Sequence, residues 1–190
     1  MGFLSDGELK RIGFRHVGKN VRISSKASFY NPAKISIGDN SRIDDFCIVS
    51  AGSGGISIGR YVHIGCHSYL LGQGAITLED FSGVSGRVAV YSSNDDYSGS
   101  SLVGPTVPEI YRNVSYGPVV LRKHVIVGAG SVILPNVEIG VGAVVGAMSL
   151  VKHNCSEFGV YAGIPVKKIK ERKQDLLELA KEFLDAENHG

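Results

Sequence analysis

Large apolar residues recur every six positions along most of this chain. They fall into six groups of three, and within each group the spacing is six without exception. The first residues of these hexapeptides are Val17, Ile23, Phe29, Ile37, Ile43, Val49, Ile58, Ile64, Leu70, Leu78, Val84, Val90, Leu121, Val127, Ile133, Ile139, Val145 and Val151. The breaks between groups are 8, 9, 8, 31 and 6 residues, so every insertion follows a third hexapeptide. This pattern indicates a coil with three sides that receives its insertions at one corner.

The fifth position of the hexapeptides is small or β-branched. It holds Val21, Ala27, Ser41, Cys47, Val62, Ser68, Ser82, Val88, Val125, Ser131, Val137, Ala143, Ser149 and Cys155. A short strand with one large and one small inward residue bends tightly at both ends, so each coil stacks on the next. A β-sandwich would instead show period-2 alternation with turns every ~8–12 residues. We predict an all-β fold, a parallel β-helix of about six three-sided coils.

Helices are predicted on both sides of the coils. Ser5 and Glu8 have the spacing of a capping box, which predicts a helix through about Ile12. The C-terminal region carries an apolar stripe at helical spacing, which predicts a helix to about Glu187 that packs on the coils or on a neighbouring subunit. The stripe consists of Ile169, Leu176, Leu177, Leu179, Ala180, Phe183 and Leu184. The predicted division is therefore a helical cap (1–16), a β-helix (17–160), and a tail with its helix (161–190).

One long interruption of the repeat, at about 94–116, has no structural purpose in a prism. Loops longer than about 12–15 residues in compact domains are usually functional or disordered, and the aromatic residues and prolines of this one favour order. Its base reads Asn94, Asp95, Asp96 and Tyr97. These residues either bind a substrate or form an Asx-type turn that starts the loop.

Composition narrows the class of protein. A chain of 190 residues with a net charge of +2 is one domain plus appendages, and this charge gives no case for nucleic-acid binding. Of three cysteines, Cys47 and Cys155 occupy inward positions, as expected of core residues in a reducing compartment. No signal-peptide pattern and no apolar run approaching ~20 residues is present. We therefore expect a cytoplasmic protein without a membrane partner.

The hexapeptides at 58–62 and 139–143, the long loop and the segment 162–169 (AGIPVKKI) resemble the hexapeptide-repeat acyltransferases. The resemblance covers nearly the whole chain and is closest to the galactoside and maltose O-acetyltransferases and to the acetyltransferases of surface-polysaccharide pathways. It implies a left-handed β-helix, a homotrimer with active sites between subunits, and acetyl-CoA as co-substrate. The left hand rests on the resemblance alone, because parallel crossovers are otherwise right-handed.

The resemblance also implies where acetyl-CoA lies. In the family it runs beside the last coils, against small residues, and the matching positions here are Ala129 and Ala147. Lysines follow this region, and a cationic cluster suits the phosphates of CoA. The predicted cofactor-binding cations are Lys152, Lys167 and Lys170.

The acceptor end departs from the family pattern. Galactoside-type enzymes carry a loop histidine as general base, but this sequence has no histidine between His67 and His124. Either a carboxylate, Asp95 or Asp96, takes the proton, or His67 does. His67 shares its position in the repeat with Phe46, Arg87, Gly130 and Met148, so its side chain is expected to point outward. The predicted substrate-binding residues are Asn94, Tyr97 and Arg87.

The reactivity of the acceptor group distinguishes a sugar hydroxyl from an amine. A sugar hydroxyl needs a base that supplies roughly 10²–10⁴-fold in rate, whereas an amine with a pKa near ~8 is partly free base at neutral pH. We therefore predict N-acetylation of a nucleotide-linked amino-sugar in surface-polysaccharide biosynthesis. The alternative is O-acetylation of a sugar or galactoside hydroxyl.

Two other classes of protein share this repeat. A γ-type carbonic anhydrase needs three converging histidines, but His63, His67 and His124 do not share one column, so no metal site is predicted. An inert trimeric scaffold would need neither the lysine-rich tail nor the long loop.

Overall fold

Three short strands make up each turn of a parallel β-helix in the computed structural model, which describes residues 2–188. The first three turns are β1 (His16–Val17), β2 (Arg22–Ile23), β3 (Ser28–Tyr30); β4 (Ile35–Ile37), β5 (Arg42–Ile43), β6 (Ile48–Ala51); and β7 (Ile56–Ile58), β8 (His63–Ile64), β9 (Tyr69–Gly72). The fourth is β10 (Ile76–Leu78), β11 (Gly83–Val84), β12 (Ala89–Tyr91), followed by the loop strands β13 (Ser93–Asn94) and β14 (Ser115–Tyr116). The remaining strands are β15 (Val119–Leu121), β16 (Ile126–Val127), β17 (Val132–Ile133); β18 (Val137–Ile139), β19 (Val144–Val145), β20 (Leu150–Val151); and β21 (Gly159–Gly163) and β22 (Val166–Glu171). The predicted parallel β-helix is confirmed, and β21 adds a partial seventh turn.

Strands of equivalent position stack into three sheets. Sheet 1 runs β1-β4-β7-β10-β15-β18, sheet 2 runs β2-β5-β8-β11-β16-β19-β21-β22, and sheet 3 runs β3-β6-β9-β12-β17-β20. We call the corner between sheets 1 and 2 the first edge, that between sheets 2 and 3 the second edge, and that between sheets 3 and 1 the third edge. The long loop leaves and re-enters at the third edge, where β13 pairs antiparallel with β14. The prediction that insertions gather at one corner is confirmed.

Register keeps the repeat residues in contact along the inside of the prism. Ile58, for example, lies beside Ile37 on one side and Leu78 on the other. All eighteen first-position residues are buried except Val17 and Phe29, which belong to the first turn and pack against the core from its end. Each turn therefore buries its apolar side chains against the turns above and below it.

Serines at the fifth position form hydrogen bonds with backbone groups at the corners, from the inside of the prism. Ser41 Oγ donates to the Gly59 carbonyl at 2.8 Å, and Ser68 Oγ donates to the Ser85 carbonyl at 3.0 Å. Ser68 Oγ also accepts from the Val88 amide at 3.2 Å. A serine can thus replace a small apolar residue there, because its hydroxyl forms hydrogen bonds with backbone groups that have no strand partner at a tight corner.

The two helices lie at the ends of the chain. α1 (Asp6–Ile12) begins at Ser5, whose amide donates to the Glu8 carboxylate at 2.8 Å, and it ends at Gly13 with φ 79°. α2 (Leu176–Asn188) packs against the first edge. Both predicted helices are confirmed, and among the described residues no helix combines the length and apolarity that a membrane span requires.

An aromatic stack holds α2 in place. Tyr61, Phe81 and His124 follow one another along the first edge, with ring centroids 4.8 Å and 5.1 Å apart. Phe183 of α2 meets Tyr61 edge-on at 5.2 Å. The Arg172 guanidinium donates to the His124 carbonyl at 2.8 Å. The predicted packing of the helix on the prism is observed within one chain.

One part of the tail differs from its prediction. The residues from Val166 to Glu171 form β22, which pairs antiparallel with β21, so Ile169 lies in a strand and does not belong to the helical stripe. The strand forms because β21 would otherwise leave an open sheet edge with unpaired backbone groups. The last two residues of the predicted tail, 189 and 190, lie outside the described part of the chain.

Two neighbouring residues of β7 are predicted to contribute very differently to the free energy of unfolding. Ile56 is 2% exposed, whereas the next residue, Ser57, faces solvent. Ile56→Ala should lower the free energy of unfolding by about 2–5 kcal/mol through lost burial and a residual cavity. Ser57→Ala, the matched control, should change it by less than about 0.5 kcal/mol. Urea unfolding of both variants measures the difference, and equal losses would show that Ile56 does not contribute to a packed core.

Candidate functional site

The second edge brings together four of the predicted site residues. His67, Arg87, Ala129 and Ala147 all lie there on successive turns and are all exposed. The turns are tied by backbone hydrogen bonds, such as Arg87 N to the Cys66 carbonyl at 2.9 Å and Met148 N to the Ala129 carbonyl at 2.8 Å. The predicted outward direction of His67 is observed, and its ring stacks on Phe46 with centroids 4.9 Å apart.

The glycines of this edge have a structural cause. A Cβ on Gly128 would lie 2.4 Å from the Ala147 amide nitrogen, and one on Gly65 would lie 2.6 Å from the Gly86 amide nitrogen. Such distances are too short for any side chain, so these glycines are needed for turn-on-turn stacking. Ala129 and Ala147, by contrast, present small side chains to solvent, and the edge is therefore flat enough for a ligand to lie along it.

The tail reaches the same edge at its hairpin. The Gly163 amide donates to Ser149 Oγ at 3.2 Å, which holds the turn between β21 and β22 beside the last coil. Lys167 pairs in register with Ala162 close to this turn, and Lys170 pairs with Val160 further along the strand. Lys152 directly follows β20 and so lies at the third edge. The structure thus brings Lys167 near Ala147 and places Lys152 at another corner.

The predicted acceptor residues are divided between two edges. His67 and Arg87 precede strands of sheet 3, whereas Asn94, Asp95 and Tyr97 follow that sheet at the start of the long loop. Arg87 and Asn94 are seven positions apart, which corresponds to about 23 Å along an extended chain. One chain alone therefore does not bring His67 and Asp95 to a common point.

Asp96 anchors the long loop. Its carboxylate accepts hydrogen bonds from the Ser98 amide at 2.8 Å and from the hydroxyls of Ser98, Ser100 and Ser101 at 2.9, 2.8 and 2.8 Å. These bonds, those of Ser98 foremost, hold the pKa of Asp96 far below its usual range. A carboxylate that is so stabilised is a poor proton acceptor at neutral pH. Of the two predicted acids, the geometry favours Asp95 for work on a substrate.

A buried carboxylate that sequence reasoning missed lies on the outer side of sheet 2. Asp44 is 8% exposed and contacts His63 Nε2 at 2.9 Å and Arg42 Nε at 2.7 Å. Burial works to raise the pKa of Asp44, but the hydrogen bonds from His63 and Arg42 outweigh it and lower the pKa. Its only signal in the sequence is that Arg42 and Asp44 flank an inward Ile43.

The three histidines considered as metal ligands lie apart. His63 is on the outer face of sheet 2, His67 is at the second edge and His124 is at the first edge. Across residues 2–188, no three His, Cys, Asp or Glu side chains gather as a metal ion would require.

Comparison with known proteins assigns the chain to a family. A dTDP-4-amino-4,6-dideoxy-D-glucose acyltransferase from Escherichia coli is 50% identical over 183 residues, covering 96% of this chain and 95% of the relative. No protein-family model matches the sequence. Among solved structures, a serine variant of AntD, an N-acyltransferase from Bacillus cereus in complex with dTDP-4-amino-4,6-dideoxyglucose and coenzyme A, is 52% identical with a TM-score of 0.93 over 97% of each chain. AntD in complex with dTDP and 3-hydroxybutyryl-CoA has a TM-score of 0.92 at 52% identity over 98% of each chain.

The chain belongs to the dTDP-amino-sugar N-acyltransferases, a group of the hexapeptide-repeat acyltransferases. A hexapeptide-repeat acetyltransferase from Vibrio cholerae, 20% identical with a TM-score of 0.62 over 90% of this chain and 80% of its own, shares the fold. The predictions of an acyltransferase that uses acyl-CoA and of an amino-sugar as favoured acceptor are confirmed. Membership in this family argues against the three alternatives, which were acetylation of a hydroxyl, a carbonic anhydrase and an inert scaffold.

The flat second edge predicts that bulk at Ala147 blocks CoA. Ala147→Leu should abolish most acyl-CoA binding in calorimetry and leave the melting temperature within a few degrees of wild type, because the side chain faces solvent. Ala186→Leu, at an exposed alanine of α2, is the matched control and should bind normally. Unchanged affinity in the Ala147 variant would place the cofactor elsewhere.

The hydrogen bonds of Asp96 predict its effect on the loop. Asp96→Ala should speed protease cleavage within residues 97–115, whereas Glu157→Ala, which removes an exposed acid outside the loop, should not. Because the pKa of Asp96 is lowered on folding, loop protection should persist above the ordinary carboxyl pKa of about 4 and fall only as the pH drops toward the lowered value. Equal cleavage of both variants would show that Asp96 does not order the loop.

Proposed function

We propose that this protein transfers an acetyl group, or a related short acyl group, from acyl-CoA to the amino group of a dTDP-linked 4-amino-4,6-dideoxy sugar. The observation that carries the proposal is the 52% identity and TM-score of 0.93, over 97% of both chains, to an enzyme in complex with that nucleotide-sugar and coenzyme A. Surface-polysaccharide biosynthesis is the setting in which such an N-acylated sugar would be used. A cytoplasmic location fits the acyl-CoA donor and the three free cysteines of the described chain.

The division of the site between edges supports a homotrimer. His67 and Arg87 lie at the second edge and Asp95 at the third, so packing the third edge of one copy against the second edge of the next completes the site. The loop at the third edge exposes large apolar side chains that suit such an interface. They are Tyr97, Leu102, Val103, Ile110, Tyr111 and Tyr116.

A spacing match supports Asp95 and adds Ser85 to the site. The structures of the Bacillus cereus enzyme include variants of a serine and of an aspartate that lie ten positions apart. Ser85 and Asp95 have the same separation here and belong to a chain that aligns with that enzyme over nearly its whole length. Ser85 lies at the second edge, one turn after Gly65.

We assign these residues different roles in the reaction. The amine nitrogen attacks the thioester carbonyl carbon, the new C–N bond forms, the C–S bond breaks and coenzyme A leaves. The Asp95 carboxylate orients the amino group through its charge, with Asn94 and Tyr97 beside it. The Arg87 guanidinium is matched to the phosphates of a nucleotide. Lys167 and Lys170 are placed to neutralise the phosphates of CoA beside Ala129 and Ala147, and the geometry gives Lys152 a more distant position.

A direct assay tests the function. Purified protein with acetyl-CoA and dTDP-4-amino-4,6-dideoxyglucose should release free thiol, and mass spectrometry should show an amide on the sugar. Thiol release with 3-hydroxybutyryl-CoA, measured in parallel, defines the length of the donor. dTDP-glucose, which offers only hydroxyls, is the control and should give no turnover. Equal turnover of dTDP-glucose, or none with any dTDP-amino-sugar, would overturn the proposal.

A further inference from the structure

A slot one residue wide opens on the outer face of sheet 2. Gly83 of β11 lies in register between His63 of β8 and Ile126 of β16. Neighbouring strands are about 4.8 Å apart, so the side chains of His63 and Ile126 stand about 10 Å apart with no side chain between them. A glycine inside a strand often marks a place where a ligand approaches the backbone.

Packing does not require this glycine. A Cβ on Gly83 would meet the His63 carbonyl oxygen at 3.4 Å, which is an ordinary van der Waals contact. The φ of Gly83 also lies outside the left-handed region that favours glycine. Gly65 and Gly128 differ in this respect, because side chains there would collide with the next turn. The stacking of the turns therefore does not explain the slot, which is a feature of the outer surface.

One wall of the slot is a histidine held by a carboxylate. Asp44 Oδ2 lies 2.9 Å from His63 Nε2, and the other oxygen of Asp44 accepts from Arg42 Nε at 2.7 Å. The hydrogen bonds from His63 and Arg42 keep the buried Asp44 ionised, and Asp44 fixes the orientation of the imidazole. His63 Nδ1 is then the ring nitrogen that can take up a proton. A base oriented by a buried carboxylate is the arrangement that general-base catalysis uses.

The slot continues to the second edge. It belongs to a groove of 480 Å³ whose lining includes Tyr61, Cys66 and Ser85 in addition to Asp44, His63 and Gly83. Ser85 is the residue that we added to the proposed site from the spacing match. The titratable and charged groups that line or flank the groove near His63 are Arg42, Asp44, Tyr61 and Cys66.

We propose that His63, oriented by Asp44, accepts the proton of the acceptor amine during acyl transfer. The inference rests on the function proposed above. When the amine nitrogen bonds to the thioester carbonyl carbon it becomes positively charged, and its proton passes to His63 Nδ1. The C–S bond then breaks, and the proton on His63 moves to the departing thiolate. The products are the amide and the free thiol, and His63 returns to its neutral form. Asp95 anchors the amino group and His63 moves its proton.

Steady-state kinetics of four variants test this division of roles. His63→Gln should lower kcat by about 10²-fold, the lower end of what a general base contributes, with KM near the wild-type value. Asp44→Asn should lower kcat in the same way, because the imidazole loses its orientation. Asp95→Asn should chiefly raise KM, since it removes an anchoring charge. His16→Gln, at an exposed histidine on β1, is the matched control and should match wild type.

Filling the slot gives an independent readout. Gly83→Val should fill the slot and abolish most activity, while the melting temperature and the sedimentation coefficient stay unchanged.

The outcomes separate this inference from the proposed function. Wild-type kcat in His63→Gln would overturn the role of His63 even when the wild-type enzyme acylates the amino-sugar as proposed. If His63→Gln and Gly83→Val change the sedimentation coefficient and leave kcat intact in the assembled enzyme, the slot receives a side chain of a neighbouring copy, which also overturns it. Failure of the wild-type enzyme to acylate any dTDP-amino-sugar would overturn the proposed function itself, and with it the reaction assigned to His63.

Discussion

The stacking of inward side chains in exact register between neighbouring turns is the constraint on which the rest of this molecule depends. Each turn can bury Ile58, Ile64 or Leu70 only against the equivalent residues above and below. Residues within a turn are therefore not free to shift along the chain, and additions are tolerated only where they leave the register intact. The same register fixes the outer surface, so side chains that are distant in sequence become neighbours about 4.8 Å apart on one edge.

This order explains how much of the structure could be predicted from the sequence. A period of six is enough to place His67, Arg87 and Met148 in one outward column and Ala129 and Ala147 on the same edge, since each position follows from arithmetic on the repeat. The helix at Ser5 was predictable for a different reason, because its capping box is a local signal. The class of reaction followed from the resemblance together with the missing loop histidine.

The remaining features depend on interactions without a period. The antiparallel strand that contains Ile169 satisfies the last exposed sheet edge, and nothing in the spacing of apolar residues distinguishes it from a helix start. The hydrogen bonds that make Asp96 an anchor come from three serines whose directions are set by the loop. The contact of Asp44 with His63 joins side chains 19 residues apart, and the separation of Asp95 from His67 becomes visible only when the strands of sheet 3 are in place.

The stem of the long loop makes the loop a module that is separable from the prism. Only two residue pairs join β13 to β14, Ser93 with Tyr116 and Asn94 with Ser115, and the strands on either side of the loop keep the register of the prism. The entropy of closing such a stem changes slowly with the number of residues it encloses. Evolution can therefore exchange or lengthen the enclosed segment, and with it the acceptor contacts proposed for Asp95, while the second edge and the core beneath it stay as they are.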